Sequence, residues 1–303
     1  MGRLLVFNML ILSDLVKQYD NIKAVASVSF KIDEGDIYGF LGPNGAGKTT
    51  TIRMIMGIIK PDSGSILLNG KDINSKDRSK IGYLPEDRGL YQKQKLLETI
   101  CYFGMLKGFN KSEAYENTKS WLNRFSLENQ ENRSIEELSK GNQQKVQFII
   151  ALLNNPDFLI LDEPFTGLDP INQLLLKEII QEKSQEGKTI IFSTHQMEQV
   201  ERLCSNISLI NKGKIILDGE LKAVKESRKT KAIEVVFNGE IDNKKVESFL
   251  DNIVVKENFV SGIVKKDTRL FLGWINEVVN VESFQVKMPT LEQIFIDEIR
   301  KSS

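Results

Sequence analysis

Five mostly apolar residues, IYGFL at 37 to 41, run straight into GPNGAGKTT at 42 to 50. No other junction narrows the possible folds so much. An apolar run this brief reads as a buried strand. Gly42, Gly45 and Gly47 then allow the backbone to curl until several N–H groups face one anion. A helix is expected from Thr50 to about Gly57. Strand, glycine loop and helix in this order define an α/β unit around a parallel sheet. A plain glycine turn leaves a lysine followed by a hydroxyl unexplained. A polyphosphate explains both: Lys48 reaches its terminal phosphates and the Thr49 hydroxyl holds Mg²⁺. The expected nucleotide contacts are therefore Gly42, Pro43, Asn44, Gly45, Ala46, Gly47, Lys48, Thr49 and Thr50.

FLILDEP at 158 to 164 supplies a second half. Its apolar residues form a buried strand, and two carboxylates emerge at the end. Asp162 is placed for the Mg²⁺ shell. Glu163, one residue on, is placed to polarise water at a terminal phosphate.

Alternation of short strands and helices continues along the chain. A first strand is expected from about Met9, and others at Ser65 to Leu68, Phe158 to Leu161 and Thr189 to Ser193. Residues 90 to 150 are mostly helical in period, with Leu96, Ile100, Phe103 and Leu106 on one face. KESRKTK at 225 to 231 reads as a linker. Alternating segments at 232–237, 253–260, 269–272 and 282–287 beyond it predict a small second α/β domain.

Composition excludes several classes. Forty-one Lys and Arg balance forty-one Asp and Glu, which gives no electrostatic case for nucleic acid as the main partner. Cys101 and Cys204 stand far apart and form no metal knuckle, which fits a reducing compartment. No window is long and apolar enough to span a bilayer. Leu4 to Leu12 is short and broken by Asn8, so no leader peptide is expected; Met9 is an alternative start with residues 1 to 8 as an upstream extension.

LSKGNQQ at 138 to 144 decides the family. Ser139 caps a helix start there, whose free N–H groups favour an anion. A phosphate loop, an LSGGQ-like segment and then a DEP strand resemble the ATP-binding cassette (ABC) ATPases. Lys140 and Asn142 depart from LSGGQ; Ser139 and Gly141 keep it. The resemblance covers about residues 9 to 225. It implies an α/β P-loop cassette: a RecA-like core, an antiparallel β subdomain and a helical subdomain at about 88–155. Residues 232–303 form the accessory α+β domain.

The same resemblance implies further roles. Tyr19 stacks on adenine. Glu86, in YLPEDRGLY at 83 to 91, replaces the family's glutamine as a ligand of Mg²⁺ and the attacking water. Asp169 lies in GLDP, the segment at the dimer seam. His195, the only histidine, contacts the γ-phosphate. The expected catalytic set is Glu163, His195, Lys48 and Glu86; the expected metal set is Thr49, Asp162 and Glu86. In the family two cassettes pack head to tail, and Ser139 and Gly141 of one grip the ATP of the other. YLPEDRGLY and MPTLEQIF at 288 to 295 are similar to the NatA-like subgroup, related to sodium-export ATPases.

The implied protein is the ATP-hydrolysing subunit of an exporter, peripheral on the cytoplasmic face of the cell membrane. It works as a homodimer or heterodimer of cassettes on a separate permease, with no nucleic acid partner expected. Leu90, Tyr91, Leu97, Tyr102 and Phe103 are candidate permease contacts, although a role in the helical core accounts for them equally. The alternative is a soluble ABC ATPase acting on ribosomes or nucleic acid. Such proteins usually carry two cassettes or long coiled coils, and this chain has one phosphate loop.

Overall fold

The computed structural model describes residues 8–87, 89–227, 232–265 and 267–302. It divides into two compact units, one closing at Gly219 and the other opening at Glu220.

In the first unit, β1 (Asn8–Tyr19) and β2 (Ile22–Asp33) pair as a long antiparallel hairpin. Buried Leu10, Leu12 and Leu15 break strict alternation. A register shift between Leu12 and Leu15 restores the inward face. Asp14, at φ 49°, stabilises this bulge: its carboxylate accepts from Ser27 Oγ at 2.8 Å and its N–H donates to Ser29 Oγ at 2.8 Å.

β3 (Ile37–Leu41) leads through the glycine loop into α1 (Lys48–Ile55). β4 (Ser63–Leu68) and β5 (Lys71–Asp72) complete a four-stranded sheet in the order β2-β1-β4-β5. α2 (Ser75–Arg78) and β6 (Gly82–Leu84) follow. Three longer helices come next, α3 (Leu96–Leu106), α4 (Lys111–Arg124) and α5 (Lys140–Leu152). Asn110 and Glu113 form a reciprocal cap that starts α4. The unit continues with β7 (Phe158–Asp162), α6 (Pro170–Gln185), β8 (Thr189–Thr194), α7 (Met197–Leu203), β9 (Asn206–Asn211) and β10 (Lys214–Glu220).

The six-stranded sheet runs β10-β9-β3-β8-β7-β6. β3 pairs in parallel with β8 and β9, and β7 with β6 and β8. Every residue of β3, β7 and β8 is buried, as expected for strands covered on both faces. A core of Leu10, Leu12, Phe30 and Ile32 from the hairpin, Phe40 and Ile160 from the parallel sheet, and Ile52 and Ile55 from α1 joins the layers. Register aligns Leu41 with Thr194 and Asp162 with Ser193. The loops after β3, β7 and β8 therefore leave from one edge of the sheet, where open α/β sheets bind ligands.

The second unit contains α8 (Leu221–Ser227), β11 (Ala232–Asn238), α9 (Asn243–Phe249), β12 (Leu250–Lys256), β13 (Phe259–Val264), α10 (Thr268–Val278), β14 (Asn280–Lys287) and α11 (Leu291–Ser302). The βαββαβ order with an antiparallel sheet β12-β13-β11-β14 is ferredoxin-like. Alternation in β11 buries Ile233, Val235 and Phe237 against Phe271 and Ile275 of α10.

Several local expectations are corrected. α1 begins at Lys48 rather than Thr50, because Gly47 at φ 111° already serves as its cap. Segment 253–260 is split by a turn at 257–258 into β12 and β13. Segment 269–272 is helix: Asp267 caps α10, and Phe271 and Ile275 share the buried face one turn apart while Leu270 is exposed. Four residues are too few to separate a period of 2 from one of 3.6. Leu106 is exposed rather than part of the buried face with Leu96 and Ile100. Residues 225–227 of the expected linker end α8; residues 228–231 lie outside the described residues.

Candidate functional site

The glycine loop is held by its neighbours. A Cβ on Gly42 falls 2.3 Å from the Ile210 carbonyl oxygen, and one on Gly47 falls 2.5 Å from that of Ala24. Gly45 and Gly47 take φ values of 77° and 111°, which only glycine adopts freely. The loop opens a cleft lined by Ala24, Asn44, Gly45, Gly47, Lys48, Thr49, Thr50, Glu86 and Glu163. α1 starts beneath it, with free N–H groups and the positive end of its dipole toward the cleft.

Lys48 is buried although charged. Its Nζ donates to the carbonyl oxygens of Gly42 at 2.8 Å and Pro43 at 3.3 Å. It also stands 3.5 Å from Glu163 Oε1. Glu163 is itself buried, at φ 50°, a left-handed conformation unfavourable for a glutamate. Its N–H donates to the Ser193 carbonyl at 3.1 Å, fixing the turn out of β7. Thr194 Oγ1 donates to Glu163 Oε2 at 3.3 Å, and His195 Nδ1 lies 3.0 Å from Oε1. A carboxylate only accepts, so His195 carries its proton on Nδ1 in this contact.

Asp162 is fully buried at the end of β7. Ser193 Oγ donates to its Oδ1, and its Oδ2 has no hydrogen-bond partner. Burial raises its pKa above the ordinary carboxylate value; Ser193 and Thr49 oppose that, while Glu86 and Glu163 add to it. Thr49 Oγ1 donates to Glu86 Oε2 at 2.9 Å. The loop carrying Glu86 is tied on both sides: Arg53 of α1 contacts Asp87 Oδ2 at 2.6 Å, and Gln147 of α5 donates to the Asp87 carbonyl at 3.0 Å.

Among the described residues no group of three His, Cys, Asp or Glu could hold a metal by itself. What stands here is a hydroxyl, an orphaned carboxylate oxygen and a second carboxylate. That hard-oxygen set suits a Mg²⁺ whose remaining ligands are phosphate and water.

Tyr19 ends β1 opposite Ile22, and both are exposed at the hairpin tip. Lys17 Nζ lies 5.6 Å from the Tyr19 ring centre. β2 then runs from this tip past Gly47 at Ala24. Ser139 caps α5, accepting from the Asn142 N–H at 3.2 Å, and is exposed. Gly141 is packed so that a Cβ would lie 3.2 Å from the Gly167 carbonyl oxygen. Neither Ser139 nor Gly141 lines the cleft of its own glycine loop. Asp169 caps α6 through the Asn172 N–H at 2.9 Å, and that bond holds its carboxyl below the ordinary value. Tyr91, Tyr102 and Phe103 form an aromatic cluster with ring centres 5.8 to 6.3 Å apart, whereas Leu90 is buried.

Sequence reasoning missed Ser193, Thr194 and Ala24. All three act through strand register or tertiary approach, which no local pattern encodes.

The ABC transporter family profile matches residues 25–166. The uncharacterized ABC transporter ATP-binding protein YhaQ of Bacillus subtilis (strain 168) is 40% identical over 296 residues, covering 96% of this chain and 98% of YhaQ. The ABC transporter ATP-binding protein NatA of the same organism is 36% identical over 237 residues, covering 76% of this chain and 96% of NatA. A solved ATP-binding subunit of an ABC transporter superposes with a TM-score of 0.67 at 32% identity, over 72% of this chain and 92% of that one. A near full-length match to YhaQ and a cleft that combines a phosphate loop with Glu86 and Glu163 place this chain in the family of ABC transporter ATP-binding proteins, as an α/β P-loop cassette that binds and hydrolyses ATP.

Proposed function

We propose that the chain is the motor subunit of an exporter, seated on the cytoplasmic face of the cell membrane and driving a separate permease. Residues 9–225 act as the cassette, with 88–155 as its helical subdomain, and 232–303 as an accessory domain. Among the described residues no helix is long and apolar enough to cross a membrane. The aromatic cluster of Tyr91, Tyr102 and Phe103 offers the permease an exposed apolar contact. Export rather than import follows the NatA-like resemblance of YLPEDRGLY and the C-terminal helix.

One observation carries the dimeric reading. Ser139 presents its hydroxyl and the start of α5 to solvent, away from the cleft of its own phosphate loop. A second cassette, this chain or another, gives that anion-binding terminus its anion: the γ-phosphate of the partner's ATP. Asp169 lies at the same seam, and Tyr19 stacks on the adenine. Loss of the γ-phosphate removes the bridging contact and lets the pair part.

In each site Lys48 exchanges the Gly42 and Pro43 carbonyls for phosphate oxygens. Thr49, Asp162 and Glu86 hold Mg²⁺, which when bound offsets phosphate charge. Glu163, oriented by Thr194 and His195, accepts the proton of the attacking water. His195 and Lys48 stabilise the charge that develops. Glu163→Gln tests this: ATP still binds, turnover falls at least about 100-fold, and light scattering finds a closed dimer in Mg·ATP. Undiminished turnover removes Glu163 from the role; a variant that binds ATP but stays monomeric, even with its permease, removes the pairing.

A further inference from the structure

The cleft carries an excess of negative charge before any phosphate enters. Glu86 and Glu163 line it and buried Asp162 adjoins Thr49, so one lysine, Lys48 beside Glu163, stands among three carboxyl groups. Lys48 is engaged with Glu163 and two loop carbonyls. That leaves Glu86 and Asp162 without a cation opposite them in this set. Thr49 donates its proton to Glu86 Oε2 at 2.9 Å, which turns the hydroxyl's lone pairs away from that carboxylate and leaves them available as ligands. Asp162 Oδ2 is fully buried and unpartnered, a costly state unless something binds it.

Glutamine in place of Glu86 lowers the negative charge by one and offers a neutral oxygen. A triphosphate arriving without a cation meets repulsion from Glu86; one arriving at an occupied site meets a set whose net negative charge the ion has cancelled. Resting on the metal roles given above for Thr49, Asp162 and Glu86, we propose that these three form a site for one hard divalent cation that fills before the nucleotide. The carboxylate of Glu86 is what makes this early loading possible, and ATP enters a cleft already carrying its ion. Two carboxylates and a hydroxyl leave room for water ligands, which the nucleotide phosphates then displace.

The test is a Mn²⁺ titration of the full chain, purified free of nucleotide, followed by the EPR signal of free Mn²⁺. One Mn²⁺ per chain is expected without nucleotide, displaced by excess Mg²⁺. Glu86→Gln is expected to weaken it at least tenfold, and Asp162→Asn to do the same. Glu86 is exposed, so its substitution leaves the fold intact, and an unchanged melting temperature checks that. A parallel titration with a non-hydrolysable ATP analogue separates the outcomes. Mn²⁺ bound only with the analogue overturns early loading and leaves the metal site standing. Equal nucleotide-free affinity in wild type and Glu86→Gln overturns the role of Glu86. Mn²⁺ bound in neither state, or indifferent to Asp162→Asn with the analogue present, overturns the metal site itself.

Discussion

The two units of the chain treat polar groups in opposite ways. In the first, Lys48, Asp162 and Glu163 are buried together at the edge of a sheet covered on both faces. The buried side-chain atoms without a partner among the described residues, on Asp33, Gln147, Asp162 and Gln199, all belong to the first unit. In the second, the ferredoxin-like sheet buries an apolar face built on Val235, Phe237 and Phe271, and its ion pairs, such as Lys287 with Glu234 at 2.8 Å, sit at the surface. The second unit obeys the ordinary rules of packing; the first breaks them with the charged groups gathered at the cleft and also at Asp33, Gln147 and Gln199, which do not line it. The clustering of buried charge, rather than an orphaned atom by itself, is therefore what marks the cleft, while a satisfied core points only to stability.

That contrast can be broken by experiment. The largest effect is expected from Phe271→Ala, which empties a fully buried ring site in the second unit and costs about 3–5 kcal/mol there. Calorimetry reads the loss, and fluorescent-nucleotide binding should not change; abolished binding would show that the chemistry is not confined to the first unit. Gly47→Ala is next, at about 2 kcal/mol or more from its left-handed φ and the Ala24 carbonyl, with ATP affinity lost as well. Thr290→Ala removes a reciprocal cap, in which Thr290 Oγ1 accepts from the Gln293 N–H at 3.2 Å and Gln293 Oε1 from the Thr290 N–H at 3.0 Å. About 1 kcal/mol of stability should go, with ATPase activity retained.

The smallest effect is a slope. Burial lowers the pKa of Lys107, whose Nζ donates to Asn154 Oδ1 at 2.9 Å, to about 8. Below pH 8 the ammonium is charged in both folded and unfolded chains, and its burial penalty is fully present. Between about 8 and the ordinary 10.5 the folded chain loses the proton first, so stability rises with pH. Lys107→Met lacks that rise. Urea unfolding at pH 7.5 and pH 10 should show wild type gaining on the variant; a constant difference would mean Lys107 is solvated.

The contrast also explains what was legible in the sequence. Gly42 to Thr49 is a contiguous constraint, since loop curvature, lysine and hydroxyl act within one turn, and the structure places them around one cleft. Asp162 and Glu163 were legible because an apolar strand announces where its carboxylates emerge. Ser193 beneath Asp162 and Thr194 against Glu163 were not, because β7 and β8 bring them together only through register. The second unit has few such anchors. Its segment 269–272 satisfies a strand pattern as well as a helix pattern, and the Asp267 cap with the buried pair Phe271 and Ile275 settles it as helix.

Glu163 sits at a backbone angle that glycine would accept without complaint. Replacing it by glycine should relieve about 1 kcal/mol of torsional discomfort and remove the carboxylate beside Lys48. The side chain's buried contacts with Lys48, Thr194 and His195 outweigh that relief, so they are what keeps a glutamate at this left-handed corner.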